Sequence, residues 1–231
     1  MKGFLAFPIL LLLLFGTAVN AHFATGLEAY NSGDYATAIR EWKPLAEKGM
    51  ADAQFNLAWM HYFGKGVKRS YTPAAKWFQL AADQGLADAQ SNLGVMYREG
   101  LGVTQDYKNA LKWFQLSAEQ RNAYAQHHLG QMYRQGLGVT QDYKAANKWF
   151  QLAAEQGNAY APSNLGDMYQ QGYGVIQDYR RAHMWLSISA SRGIKKSLVD
   201  RNMLELKMIP VDIAKANELA QECVVKNYKD C

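Results

Sequence analysis

Apolar residues recur along this chain at intervals of three and four, in short blocks that glycines separate. In "ADAQSNLGVMYREG" the block is Ala89, Leu93, Met96 and Tyr97, a single apolar stripe on a helix that Gly100 should stop. A second block starts at Asp106, whose carboxylate can take the free amide hydrogens of a first helical turn. It runs through Tyr107, Ala110, Trp113, Phe114 and Leu116, again at helical spacing. Gly85, Gly157 and Gly193 stand where second helices should end. Trp77, Trp113, Trp149 and Trp185 are 36 residues apart, which divides the chain into Met50 to Gly85, Leu86 to Arg121, Asn122 to Gly157 and Asn158 to Gly193. The second and third units are identical at 26 of 36 positions, so a two-helix unit has been duplicated.

Between the two helices of every unit lies a Gly-x-Gly loop: Gly64-Lys65-Gly66, Gly100-Leu101-Gly102, Gly136-Leu137-Gly138 and Gly172-Tyr173-Gly174. A dinucleotide cradle needs a preceding strand and a third glycine three residues on, where this chain has Gln105 and Gln141. The loops therefore read as hinges with positive φ, plugged by Val103, Val139 or Val175. Gly94, Gly130 and Gly166 fall inside helices at one register, with Ala58 in the first unit, and predict close helix approach there.

The motif Ala-x-x-x-Leu-Gly-x-Met-Tyr, then Gly-x-Gly-Val, Asp-Tyr-x-x-Ala-x-x-Trp-Phe and Ala-Ala-Glu-Gln-Gly resembles the Sel-1-like repeat, a relative of the tetratricopeptide repeat. The resemblance covers residues 50–193 in four units, 50–85, 86–121, 122–157 and 158–193. It implies an all-α fold, a right-handed α/α solenoid of helical hairpins, twelve helices in all, that works as a protein-interaction scaffold rather than an enzyme. Ser70 replaces the capping aspartate, Pro73 follows it, and Pro162 intrudes at the start of a first helix. Residues 22–49 read as tetratricopeptide-like capping helices, and 194–231 as two amphipathic capping helices separated by Pro210.

Three bulk features narrow the class. Lys2, an apolar run from Phe4 to Phe15 and the pattern Val19-Asn20-Ala21 predict a secretory signal, residues 1–21, cleaved after Ala21. The run is shorter than the roughly 20 residues a membrane-spanning helix needs, so a periplasmic or secreted protein without stable membrane insertion is expected. Net charge is +5, scattered rather than striped, which argues against nucleic acid. The only cysteines, Cys223 and Cys231, predict a terminal disulfide in an exported chain.

No nucleophile elbow, Ser-x-x-Lys or Cys-His arrangement stands out, and no cofactor or metal is expected. His127 and His128 are adjacent and so point apart on a helix. The competing class is a cell-wall enzyme acting on β-lactams or peptidoglycan, or a host-interaction factor. Recognition should lie where the copies differ: places 3, 6, 7, 10 and 13 of each unit, away from the Leu and Met stripe. The resemblance implies that stacked first helices line a concave surface there, able to hold a peptide or protein segment of the cell envelope. The candidate contacts are Phe55, Asn56, Trp59, Tyr62, Asn92, Arg98, Tyr124, His128, Gln131, Arg134, Tyr160, Asn164 and Asp167. The competing reading of these positions is a solvent-facing surface free to vary.

Overall fold

A computed structural model describes residues 8–229 and 231, with side chains from residue 19 onward. Among the described residues there are twelve helices and no strand. They are α1 (Pro8–Ser32), α2 (Tyr35–Glu47), α3 (Ala51–Phe63), α4 (Tyr71–Asp83), α5 (Ala87–Glu99) and α6 (Tyr107–Glu119). The rest are α7 (Ala123–Gln135), α8 (Tyr143–Glu155), α9 (Ala161–Gln171), α10 (Tyr179–Ser191), α11 (Lys195–Glu205) and α12 (Pro210–Val225). The chain divides into two compact units at Gln105/Asp106. α1–α5 belong to the first unit and α6–α12 to the second.

The local rules act as expected at most helix ends. Asp106 and Asp142 each accept two amide hydrogens at an N-terminus, and Asp34 and Asp178 one each. Ser70 makes no side-chain cap bond. Gly64, Gly100, Gly136 and Gly172 close α3, α5, α7 and α9 in the left-handed conformation. The second glycine of each loop has a different cause. A Cβ on Gly138 would lie 2.5 Å from the carbonyl oxygen of Tyr107, and one on Gly174 would lie 2.4 Å from the carbonyl carbon of Tyr143. The loop is thus pressed against the start of the preceding repeat's second helix, which leaves no room for a side chain. Within the helices, a Cβ on Gly130 would strike the Phe150 ring at 2.5 Å and one on Gly166 the Leu186 side chain at 2.7 Å. These glycines mark the close approach that their register predicts.

The core repeats with the sequence. Ala53, Leu57 and Met60 of α3 are at most 2% exposed, and Ala125, Leu129, Met132 of α7 and Ala161, Leu165, Met168 of α9 are fully buried. Against these stripes pack Phe78 and Phe150 of the second helices, also fully buried. The tryptophans are less uniform than their fixed spacing suggests: Trp185 is fully buried, whereas Trp77 and Trp149 are half-buried. Pro162 does not cost an internal hydrogen bond, because α9 starts two residues later than its counterparts and takes the proline into its first turn. Asn158 accepts from the amides of Tyr160 and Ala161 and holds the delayed start.

The two ends are covered as solenoid physics requires. In the first unit, α1 lies on α2: Trp42 donates from Nε1 to the carbonyl of Phe23 at 3.2 Å, and Gly26 leaves room for its ring. In the second unit, Cys223 and Cys231 form a disulfide with Cα atoms 5.5 Å apart. Tyr228 inside that loop accepts a bond from Gln151 of α8 at 2.6 Å, and Arg192 sits 4.3 Å from its ring. Of the expected signal segment, residues 1–7 lie outside the described residues and only the backbone of 8–18 is described. No described helix is long and apolar enough to cross a membrane.

Candidate binding face on the first helices

In the first unit the candidate residues of α3 form one aromatic group. Phe55 meets Trp59 edge-on at 6.1 Å, and both meet the buried Phe78 edge-on at 5.7 and 5.4 Å. Trp59 also lies flat on Phe63 at 4.9 Å, and Tyr62 packs between Trp59, Phe63 and Tyr71. Burial, with lesser contributions from Tyr71 and Glu99, pushes the Tyr62 phenol up, so it stays a neutral hydroxyl. Phe63 is 55% exposed and is the outer surface of this group. It stands at place 14, where the other units carry Glu99, Gln135 and Gln171, and place 14 lies outside the five places singled out from the sequence. The signal that could have found it is the same one: a residue type that departs from the other copies.

The asparagines at place 7 are less available than their chemistry suggests. Asn92 donates to the carbonyl of Asp88 at 2.7 Å, and Asn164 to that of Tyr160 at 3.0 Å, both on their own helices. Arg98 of α5 pairs with neighbouring Glu99 at 2.7 Å. Asn56 is half-buried on α3.

In the second unit the face is polar and cross-linked between helices. His127 is 7% exposed, and its Nε2 lies 3.1 Å from Asn164 Nδ2, which ties α7 to α9. His128 is half-buried, packs on Phe114 at 4.9 Å and bonds Gln131 at 3.3 Å. Arg134 reaches from α7 to Asp167 of α9 at 3.1 Å. Tyr124 and Tyr160 are 64% and 53% exposed. Arg134 and Asp167 thus meet across α7 and α9, as do His127 and Asn164, while His128 and Gln131 meet along α7. Place 6 is different: Ser91 and His127 are buried there, and Phe55 leans on Phe78, so this place belongs largely to packing.

One polar arrangement escaped the sequence reading. His183 of α10 is 1% exposed and lies between Glu205 of α11, 2.8 Å from Nε2, and Ser187, 3.4 Å from Nδ1. A carboxylate only accepts, so Nε2 is the donor to Glu205. Arg201 pairs with the same Glu205 at 3.4 Å. The order resembles a nucleophile relay, but the imidazole is sealed from solvent, and the arrangement reads as a clamp between α10 and α11. Among the described residues no group of three or more His, Cys, Asp or Glu is placed to hold a metal.

A chain of paired helices at a fixed repeat, with an inward stripe held constant and an outward face that varies, is an α/α repeat scaffold. The Sel1 repeat model matches residues 51–86, 87–122, 123–158 and 159–194, more than half of the chain. The chain belongs to the Sel1 repeat family. Its fold is similar to that of a Sel1 repeat protein from Oxalobacter formigenes, at 32% identity and a TM-score of 0.71, over 77% of this chain and 73% of that one. It is also similar to c5321, a protective antigen of uropathogenic Escherichia coli strains with an SLR fold. That match has 34% identity and a TM-score of 0.77, over 92% of this chain and 47% of that one. A Sel1 repeat protein from Klebsiella pneumoniae shares the fold alone, at 22% identity and a TM-score of 0.53, over 81% of this chain and 93% of that one. No curated protein matches the chain in sequence. A Sel1 repeat scaffold fits protein–protein interaction in general.

Proposed function

We propose that this Sel1 repeat protein is an exported scaffold, periplasmic or secreted, that holds a peptide or protein segment of the cell envelope on its first-helix faces. The observation that carries this reading is the aromatic group on α3. Trp59 stacked on the exposed Phe63 places rigid apolar area in water at positions that no packing rule of the repeat requires. Such aromatics are typical anchors of protein interfaces. Arg98, Arg134, Gln131 and the tyrosines then supply the polar contacts that fix register. The disulfide supports export, because such bonds persist in oxidising compartments, and so does the signal-like start at residues 1–21.

Photocrosslinking at single sites tests the reading. A benzoylphenylalanine at position 63 or 131 should give adducts from envelope extract that the same probe at Lys112, on a second helix, does not give. Equal adducts from all three positions, or adducts from Lys112 alone, would refute the assignment of the face.

A further inference from the structure

Helical spacing puts Ser197 and Leu204 on one side of α11, and both are fully buried. Val199, Met203 and Leu206 fall on the opposite side and are 59%, 60% and 80% exposed. Leu198, at the edge of that side, is exposed too, and the turn after α11 continues with exposed Ile209 and Val211. Met208 turns inward onto Leu186 and Leu204. α12 packs on α10 and leaves the far side of α11 open. The element that covers a solenoid end is expected to be polar outward. α11 is apolar there, and an exposed apolar patch of this kind marks a contact site.

The charges around the patch are of one sign once the ion pairs are removed. Asp200 is taken by Lys196, and Glu205 by Arg201 and His183. Asp212, just beyond the turn, pairs with Arg180 at 3.9 Å. Lys195 and Lys207 bracket the apolar stripe, are exposed, and are in no ion pair among the described residues.

This composition discriminates between occupants. A second copy would bring the same unpaired ammoniums into one interface with no free carboxylate of α11 to answer them. A folded partner is held chiefly through tryptophan, tyrosine and arginine, and lysine is depleted at such contacts. The patch carries none of those anchors: it is leucine, valine, methionine and isoleucine between lysines. Aliphatic side chains that dissolve among acyl chains, with lysine stems reaching back to phosphates, are the features of a helix lying in the surface of an anionic bilayer.

We propose that α11 and the turn after it make a reversible contact with the surface of a bilayer bearing anionic lipid. Val199, Met203 and Leu206 enter the acyl boundary, and Lys195 and Lys207 meet the phosphates. The helix lies in the interface and does not span it, since no described helix is long and apolar enough to cross a membrane. The contact is separate from the first-helix face, so either can stand without the other.

The apolar run from Phe4 to Phe15 can itself enter lipid, so the test reads the contact locally. Benzoylphenylalanine is placed at position 206 of the full, disulfide-intact chain, which is irradiated with phosphatidylcholine vesicles containing phosphatidylglycerol. Lipid adducts at 206 should exceed those from the same probe at Leu80, an exposed leucine of α4, about tenfold. They should fall about tenfold when Lys195→Gln and Lys207→Gln are combined, and as far on vesicles of phosphatidylcholine alone. Position 203 gives the same comparison should the probe at 206 unfold the end of α11. Equal lipid adducts at 206 and 80, or adducts indifferent to both lysines and to phosphatidylglycerol, would overturn the proposal. So would adducts to a second copy, or to a protein of envelope extract added with the vesicles, in place of lipid.

Discussion

α3 of the first compact unit and α7 and α9 of the second carry the same skeleton under side chains of different chemistry. On α3, Phe55, Trp59, Tyr62 and Phe63 hold one another by ring contacts. On α7 and α9, His127, Arg134, Asn164 and Asp167 are joined by hydrogen bonds and an ion pair. Beneath both, the inward alanine, leucine and methionine are buried in the same way. The difference teaches that packing holds places 4, 8 and 11 to one residue type, whereas the half-buried places 10 and 13 and the exposed place 14 vary from unit to unit. Aromatic area gives adhesion with little directional demand, and the polar rungs give specificity at less gain from burial.

That division can be broken most severely from the inside. Phe150→Ala removes a fully buried ring that also touches Gly130, and should cost about 3 to 5 kcal/mol in chemical denaturation. Next comes the disulfide. Replacing Cys223 and Cys231 with serine frees a short loop and should cost about 2 to 3 kcal/mol on the chain-entropy scale, read as a fall in melting temperature. A gain should follow from Arg121→Gly. Arg121 has φ 64° at the turn where the other units place Gly85, Gly157 and Gly193, so glycine there relieves strain and should add about 1 kcal/mol. Outward changes should be smaller: Arg134→Ala opens a part-exposed ion pair with Asp167 and should change stability by less than about 1 kcal/mol.

The smallest effect is a pH dependence at the helix starts. Amide hydrogens from Asn109 and Lys108 hold the Asp106 carboxyl below the usual carboxylate range, and Thr37 does the same for Asp34. A folded-state value below the unfolded one stabilises the fold fully above the unfolded value, and the contribution is lost as pH falls through the folded value. The difference in melting temperature between the native chain and Asp106→Ala should therefore shrink as pH is lowered through the carboxylate range. A difference constant across that range would contradict the assignment.

Much of this was legible in the sequence because repetition amplifies a weak signal. One stripe of Ala89, Leu93 and Met96 suggests a helix, and four such stripes in phase specify a hairpin with its caps and turns. The terminal disulfide followed from two cysteines in a chain with an export-like start. What escaped was whatever broke phase. Phe63 lies one place beyond the expected face. Pro162 was expected to disturb α9 and was absorbed by a later start. The asparagine amides of Asn92 and Asn164 bond their own helices, a use that no spacing rule distinguishes from an open ligand contact.

The central claim is that the outward face of the first helices recognises a partner while the second helices do not. Isothermal titration of a peptide selected on the native chain from a displayed random library tests it against two triple variants matched in melting temperature. Alanine at Trp59, Arg98 and Arg134 should abolish binding, and alanine at Lys76, Lys112 and Lys148 on the second helices should leave affinity within about twofold. Binding that survives the first set and is lost with the second would contradict the account.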